Sequence, residues 1–351
     1  MDIKKIIIDE NITIREAIRI LDKTAKRILF VCDNNNLKGV ITDGDIRRWI
    51  LRNGDLSAKS KEITNYEPKY ITKTEKSQAK ELMKKYSVNA IPVVNINREI
   101  ESVIFWDDLE LKDDNEEKTK LDIPVVIMAG GLGTRLYPYT KILPKALIPI
   151  GDIPIIERII NKFKEYGCLN YYLTVNYRKN MIKSYFGDIE KNYDISYLEE
   201  DKPLGTGGSL YLLKGKVNRT FFVSNCDILI DADYAAMYEY HKEKKNLITM
   251  ICAVKNITIP YGVINLKDDG EINKMTEKPE YSFLTNTGVY IIEPEVLELI
   301  EDNTFIHLPD IASKCMELGM RVGVYPITER AWMDMGQLDE MQEMINRLEG
   351  K

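Results

Sequence analysis

Histidine is nearly absent: a chain of 351 residues holds two, His241 and His307. A Ser–His or Cys–His nucleophile system would have to use one of them, and neither stands in a suggestive context. Cysteine is sparse too. Cys32, Cys168, Cys226, Cys252 and Cys315 are scattered, with no CxxC or finger spacing. Free buried thiols in a reducing compartment fit that pattern better than disulfides or structural zinc. No apolar run approaches the ~18 residues a membrane span needs. The opening MDIKKIIIDE mixes charges into its apolar residues, so no signal peptide is expected. Excess positive charge is lacking as well: the net charge is −6, which argues against a nucleic-acid or membrane-surface protein. A cytoplasmic globular chain of two or three domains is expected.

What is present begins with a weak repeat over residues 1–118. The stretch EAIRILDKTAKRILFVCDNNNLKGVITDGDIRR has the pattern of an amphipathic helix, a strand, a polar turn, a second strand and a helix starting at Asp45. About 62 residues later, AKELMKKYSVNAIPVVNINREIESVIFWDDLEL gives the same order and ends on an acidic helix start at Asp107 and Asp108. Two copies of one unit packed on each other are expected, at 1–58 and 59–118. The almost fully charged LKDDNEEKTKLD, residues 111–122, is a linker, and 119–351 forms the larger domain. The phrase GVITDGDIRR resembles the signature of CBS domains, an α+β module that occurs in tandem pairs and often binds adenosine nucleotides. That resemblance implies contacts to phosphate and ribose from Thr42 and Asp45, with Asp108 keeping the acid in the second copy. Phe105 stands where the second threonine would be, leaving at most one complete site. The alternative is that Asp45 and Asp108 are helix caps and that the pair serves assembly and docking without a ligand.

After the linker, IPVVIMA is a continuous β-branched run of the kind that forms a parallel strand buried on both faces. NYYLTVNY, TFFVSNCD, NLITMICAV and RVGVYPI repeat the habit, with helical stretches such as IIERIINKFKEYG and YAAMYEYHKEKK among them. An α/β domain with a mixed, mainly parallel sheet is expected, with ligands at the carboxyl ends of its strands. Gly130, Gly131 and Gly133 lie at one such end, where glycine lets a phosphate approach backbone amides. The loop is neither a Walker loop nor a dinucleotide fingerprint, since it lacks the GK[S/T] ending and the third spaced glycine. Arg135 follows the turn and Lys145 comes ten residues later, set by Pro144. Two cations around a glycine loop suit a triphosphate.

The whole string, GGLGTRLYPYT followed by PKALIPI, resembles the signature of the sugar-1-phosphate nucleotidyltransferases, over roughly residues 122–351. The resemblance implies a Rossmann-like fold and a nucleotide site formed by Ala129, Gly130, Gly131, Gly133 and Thr134. It gives Arg135 to the departing pyrophosphate and Lys145 to the α-phosphate. It also makes Asp227, at the end of FFVSNCD, and Asp334, in RAWMDMGQLDE, the ligands of a Mg2+ ion; a strand-end turn residue is the plainer account of Asp227. In YLEEDKPLGTGGS, Gly205 matches the base-binding turn. Relatives that use uracil or thymine carry Gln five residues earlier, where this chain has Glu200. Guanine presents two adjacent N–H donors that a carboxylate accepts together, so Glu200 points to GTP. The neighbouring Glu199 leaves a one-residue ambiguity, and a surface acid pair is the plainer alternative. Gly262, Glu277, Lys278 and Asn286 match the sugar-phosphate side without reading the sugar uniquely.

The resemblance therefore implies GMP transfer from GTP to a sugar-1-phosphate, giving a GDP-sugar and pyrophosphate. The order of CBS pair and transferase is similar to that of the glucosamine-1-phosphate guanylyltransferases of bacterial legionaminic acid synthesis. Mannose-1-phosphate, or a uridylyl or thymidylyl transfer to glucose-1-phosphate, is the alternative. A homo-oligomer is expected. An appended acetyltransferase domain is not, nor is a glycosyltransferase, which shares the general fold but usually shows a DxD motif. A non-catalytic relative would be expected to lose Arg135, Lys145 or an aspartate, and all are present.

Overall fold

The computed structural model describes residues 3–24, 26–86, 88–106 and 119–348. The helix start expected at Asp107 and Asp108, and residues 111–118 of the linker, lie outside the described residues. By packing, the chain forms two units. One comprises Met1–Glu116, Val254–Phe283 and Thr328–Arg330; the other comprises Glu117–Ala253, Leu284–Ile327 and Ala331–Lys351.

The first unit contains the repeat. Ile7–Ile8 pairs in parallel with Ile28–Asp33, which pairs antiparallel with Asn36–Thr42. Ile71–Thr72, Ala90–Val94 and Ile100–Phe105 reproduce that arrangement. Each antiparallel pair even carries its register shift at the corresponding place, Val31/Cys32 in one copy and Val93/Val94 in the other. Ile28 faces Thr42 and Ala90 faces Phe105, so Phe105 does hold the second copy's threonine position. Helix Ile14–Thr24 forms because Ile14, Ala17, Ile18 and Leu21 recur at helical spacing and are buried on one face. They join Leu29, Phe30 and Ile41 and, from the second copy, Ala90, Val94 and Phe105 in one core; Val254 belongs to that core too.

One boundary differs from the sequence reading. The helix expected to start at Asp45 starts at Asp43, because Thr42 is its cap. Asp45 is the third helical residue and closes a reciprocal box. The Thr42 amide donates to Asp45 Oδ2 at 2.8 Å, and the Asp45 amide donates to Thr42 Oγ1 at 3.4 Å.

The other unit holds most of a seven-stranded sheet in the order Asp194–Glu199, Asn170–Val175, Val125–Met128, Phe221–Asn225, Glu280–Ile292, Ile248–Thr258, Val322–Thr328. The first four run parallel, and Glu280–Ile292 pairs antiparallel with Phe221–Asn225. Alternate residues explain the unbroken apolar runs. Val125, Ile127 and Phe222 join a core with helix Ile155–Lys164, while Val126, Met128, Phe221 and Val223 join a second core with helix Leu308–Glu317. Sequence reading missed Asp194–Glu199, where five of six residues are partly or fully exposed, and Glu280–Ile292, whose first seven residues are all partly or fully exposed. The five cysteines are buried and free. Among the described residues no helix is long and apolar enough to cross a membrane.

Candidate active site

Strand Val125–Met128 delivers the glycine loop. Ala129 still donates to Thr174 O at 3.0 Å, and the chain then turns away. The three glycines answer three different needs. A Cβ on Gly130 would come within 2.9 Å of Glu200 Oε1, so only glycine leaves that carboxylate its place. Gly131 faces open space, and Gly133 has φ +64°. Buried Leu136 anchors the short turn Thr134–Leu136 and leaves Thr134 and Arg135 exposed. Arg135 forms no ion pair among the described residues. The turn Lys145–Leu147 buries Ala146 and Leu147, which fixes Lys145 opposite an acid: its Nζ is ion-paired with Asp227 Oδ2.

Asp227 lies two residues beyond the end of strand Phe221–Asn225. Its carbonyl accepts from the Met335 amide at 2.9 Å, and Ile228–Ile230 pairs antiparallel with Trp332–Asp334, with Ile228 facing Asp334. This short ladder brings together two acids far apart in the chain. Asp334 Oδ1 is buried without a hydrogen-bond partner among the described residues. Burial, then the charges of Asp227 and Glu340, push the Asp334 carboxyl up to about 6, against the pull of Lys145. Glu340 was not found from sequence; an acid in the first turn of helix Leu338–Leu348 looks like ordinary helix-dipole chemistry. Among the described residues no group of three or more metal-ligating side chains exists. Mg2+ needs no such group, since it takes one or two carboxylates and fills its shell with water and phosphate oxygens. The orphaned oxygen of Asp334 beside Asp227 fits that demand.

The geometry separates the two adjacent acids of the candidate base-reading turn. Glu199 is partly exposed and held by Lys179, at 2.6 Å, and by Lys183, which together keep its carboxyl at about 2. Glu200 points the other way and is 6% exposed. Burial pushes its carboxyl up, against a bond from the Leu204 amide at 3.3 Å. Gly205 has φ +76°, and a Cβ there would lie 2.6 Å from Ile306 O. The amides of Gly207 and Gly208 both donate to that same oxygen, at 2.9 and 3.1 Å. The glycine run is thus also seated by close packing on Ile306.

The sugar-side candidates divide. Asn286 lies in the same unit as the residues above; its Nδ2 donates to the Tyr290 hydroxyl at 2.6 Å and its Oδ1 accepts from the Gly288 amide at 3.1 Å. Gly262, Glu277 and Lys278 belong to the first unit, on and beside the exposed hairpin of Val263–Leu266 and Ile272–Thr276. Lys278 has φ +44°, unusual for a side chain of its size. Thr42 and Asp45 are bonded to each other, the Thr42 hydroxyl donating to Asp45 Oδ2 at 2.6 Å, and Asp45 also pairs with Arg48. Asp108 lies outside the described residues.

Comparison with known proteins cuts across this division, because the matched span holds residues of both units. The nucleotidyl transferase family profile matches residues 124–351, and the CBS domain profile matches residues 1–52. Among curated relatives, a mannose-1-phosphate guanyltransferase of Yarrowia lipolytica is 33% identical over 223 residues, 60% of each chain. A mannose-1-phosphate guanylyltransferase catalytic subunit beta of Dictyostelium discoideum is 33% identical over 245 residues, 64% of this chain and 66% of its own. The chain thus spans about three-fifths of the length of the curated relatives it matches. A solved UDP-glucose pyrophosphorylase in complex with UDP-glucose shares the fold at a TM-score of 0.50 and 23% identity, covering 66% of this chain and 99% of that one. With the family profile covering the glycine loop, both cations and both aspartates, the chain belongs to the nucleotidyl transferase family and carries a CBS domain ahead of that region.

Proposed function

We propose that the chain transfers GMP from GTP to a hexose- or hexosamine-1-phosphate, releasing pyrophosphate and a GDP-sugar. The observation that carries this reading is the cluster of Lys145, Asp227 and Asp334, gathered from three distant segments. A phosphate oxygen of the sugar-1-phosphate attacks the α-phosphorus in line, and pyrophosphate departs. The nucleophile is already largely anionic, since a phosphate monoester's second pKa is about 6. No general base is required. That accords with a fully buried His241 bonded to Thr249 at 2.8 Å and Glu293 at 3.2 Å.

The residues have distinct tasks. The amides of Gly130–Gly133 receive the triphosphate, Arg135 takes the departing pyrophosphate and Lys145 the α-phosphate, while Lys278 binds the sugar phosphate. Asp227 and Asp334 would hold Mg2+, which supplies neutralisation of phosphate charge. Glu200 selects guanine, supported by its burial behind Gly130, whereas Glu199 is engaged by two lysines. Two acceptors compete: glucosamine-1-phosphate, on the module order shared with the guanylyltransferases of legionaminic acid synthesis, and mannose-1-phosphate, named for the curated relatives. The protein acts in the cytoplasm as a homo-oligomer, with domains at 1–58, 59–118 and 119–351. An adenine nucleotide at Thr42 and Asp45 would have to open the capping box between them.

The test is a matrix of four nucleoside triphosphates against mannose-, glucosamine- and glucose-1-phosphate, read by pyrophosphate release. GTP with one hexose phosphate is the expected active pair. Release with UTP or TTP alone would remove the guanine assignment, and no release with any pair would remove the reaction.

A further inference from the structure

Helix Ile14–Thr24 of the first repeat does more than fill a core. Its buried face is Ile14, Ala17, Ile18 and Leu21, and a neighbouring stripe carries Arg15, Arg19 and Asp22. At spacings of four and three residues these three share one side of the helix. All three are engaged by segments more than 250 residues away. Arg15 Nε donates to Ser282 Oγ at 3.0 Å, Arg19 is ion-paired with Glu280, and the Asp22 carbonyl accepts from Arg330 at 3.0 Å. Glu280 and Ser282 are alternate residues of one strand and so point to the same side.

That strand starts two residues after Lys278. Lys278 has φ +44°, a conformation that costs a long side chain energy and persists only where its surroundings impose it. Several neighbours bear on it. Pro279 has a fixed φ, and its carbonyl accepts from the Ile259 amide at 3.0 Å. Glu280 is clamped by Arg19, and Ser282 both accepts from Arg15 and donates to Asn256 Oδ1 at 2.6 Å. The hairpin on the near side adds little, since Ile264, Leu266, Ile272 and Met275 are each half exposed or more. Besides its place in the sheet next to Ile248–Thr258, the strand that follows the left-handed turn at Lys278 is held by the arginines of the N-terminal module. The Glu280 side chain is 14% exposed, so loss of its cation leaves a largely buried carboxylate unpaired.

We infer that Arg19 is a positioning residue for the sugar-1-phosphate: by holding Glu280, it sets the Lys278 turn that receives the sugar's phosphate. The inference rests on the proposed transfer reaction and on Lys278's place in it. It makes the N-terminal module a working part of acceptor binding, independent of any nucleotide at Thr42 and Asp45.

The test uses the full chain with GTP and whichever hexose-1-phosphate the wild type accepts. Arg19→Ala and Glu280→Gln should each raise KM for the sugar phosphate by about fivefold, with KM for GTP and kcat within about twofold. The double variant should be no worse than either single one, because both remove the same contact. Arg19→Lys should recover most of the loss. A merely structural contact would lower the melting temperature and active fraction without separating the two KM values. If Arg19→Ala does not fold, Glu280→Gln, which keeps shape and volume, carries the same measurement. Unchanged sugar-phosphate KM in Glu280→Gln, equal changes in both KM values, or additive effects in the double variant would overturn the inference. An inactive wild type would overturn the transfer reading instead.

Discussion

Three largely buried residues matched to the nucleotide and three exposed ones matched to the sugar phosphate are held in different ways. Lys145, Asp227 and Glu200 sit at or just beyond strand ends or on turns with buried anchors, and each is itself largely buried. Gly262, Glu277 and Lys278 stand on an exposed hairpin and a left-handed turn, steadied by a helix from the other end of the chain. The first group rests on its unit's core, and the second on side-chain contacts with a helix distant in sequence but of the same unit. Substitution on an exposed hairpin disturbs no core, whereas a change at a buried strand end does.

The contrast breaks most visibly at Lys145. Lys145→Ala should reduce turnover by about a hundredfold or more, because a fixed charge at the reacting phosphate contributes ~3–4 kcal/mol. The sugar-phosphate KM should change far less. Stopped turnover measurements with saturating Mg2+ check this, and near-normal kcat would remove Lys145 from the chemistry.

Glu200→Gln comes next. It replaces two acceptors with an acceptor and a donor, so a guanine N–H would meet another donor in a buried place. Such a loss costs about 1–3 kcal/mol. The expected result is a ~10- to 100-fold fall in kcat/KM for GTP, with rising UTP/GTP and TTP/GTP ratios. Glu199→Gln, which breaks only an exposed pair with Lys179 and Lys183, should leave those ratios unchanged. An equal effect from both variants would mean that neither acid reads the base.

Asp334→Asn should act through the metal. The variant should need several-fold more Mg2+ for half-maximal rate, and excess Mg2+ should restore much of kcat. Titration of Mn2+ by its electron spin resonance signal gives the binding loss directly, without turnover. An unaltered Mg2+ dependence would assign the buried oxygen of Asp334 some other task.

Much of this was legible in the sequence where local chemistry alone decides. Five strands of the seven-stranded sheet were visible as apolar runs, because most of their residues are apolar and little exposed. Asp194–Glu199 and Glu280–Ile292 were not, since their exposed positions break the run. The glycine loop was plain, but not that Gly130 makes room for Glu200, a contact across 70 residues. Thr42 as a cap was within reach, for Thr42–Asp45 is an N-cap followed three residues later by an acid. The partnership of the N-terminal helix with Glu280 and Ser282 had no signal at all. Arginines on a helix surface look alike whether they face water or a strand 260 residues away.

The smallest expected effect lies at that same partnership and tests how well it is made. The Asp22 carboxyl is pushed up to about 6 by burial, then by the charges of Glu329 and Asp43, against bonds from the Arg330 backbone and the Thr328 side chain. Its Oδ1 has no hydrogen-bond partner among the described residues. In the unfolded chain the same group titrates at its ordinary value of 3.8. The folded protein therefore binds this proton more tightly. The resulting stability is complete below the unfolded value and is lost as the pH rises through about 6. Above that, the fold carries an ill-solvated charge beside the Arg19 stripe. Asp22→Asn removes the charge and keeps the shape, so at pH 7.5 it should stabilise by roughly 1 kcal/mol, the group being only partly buried. Thermal melts across the window give the answer. The variant should melt about 2 °C above the wild type at pH 7.5, with the gap closing towards pH 4. A gap that does not vary with pH would mean that Asp22 is not charged in the fold, and that the module's contact is limited by packing instead.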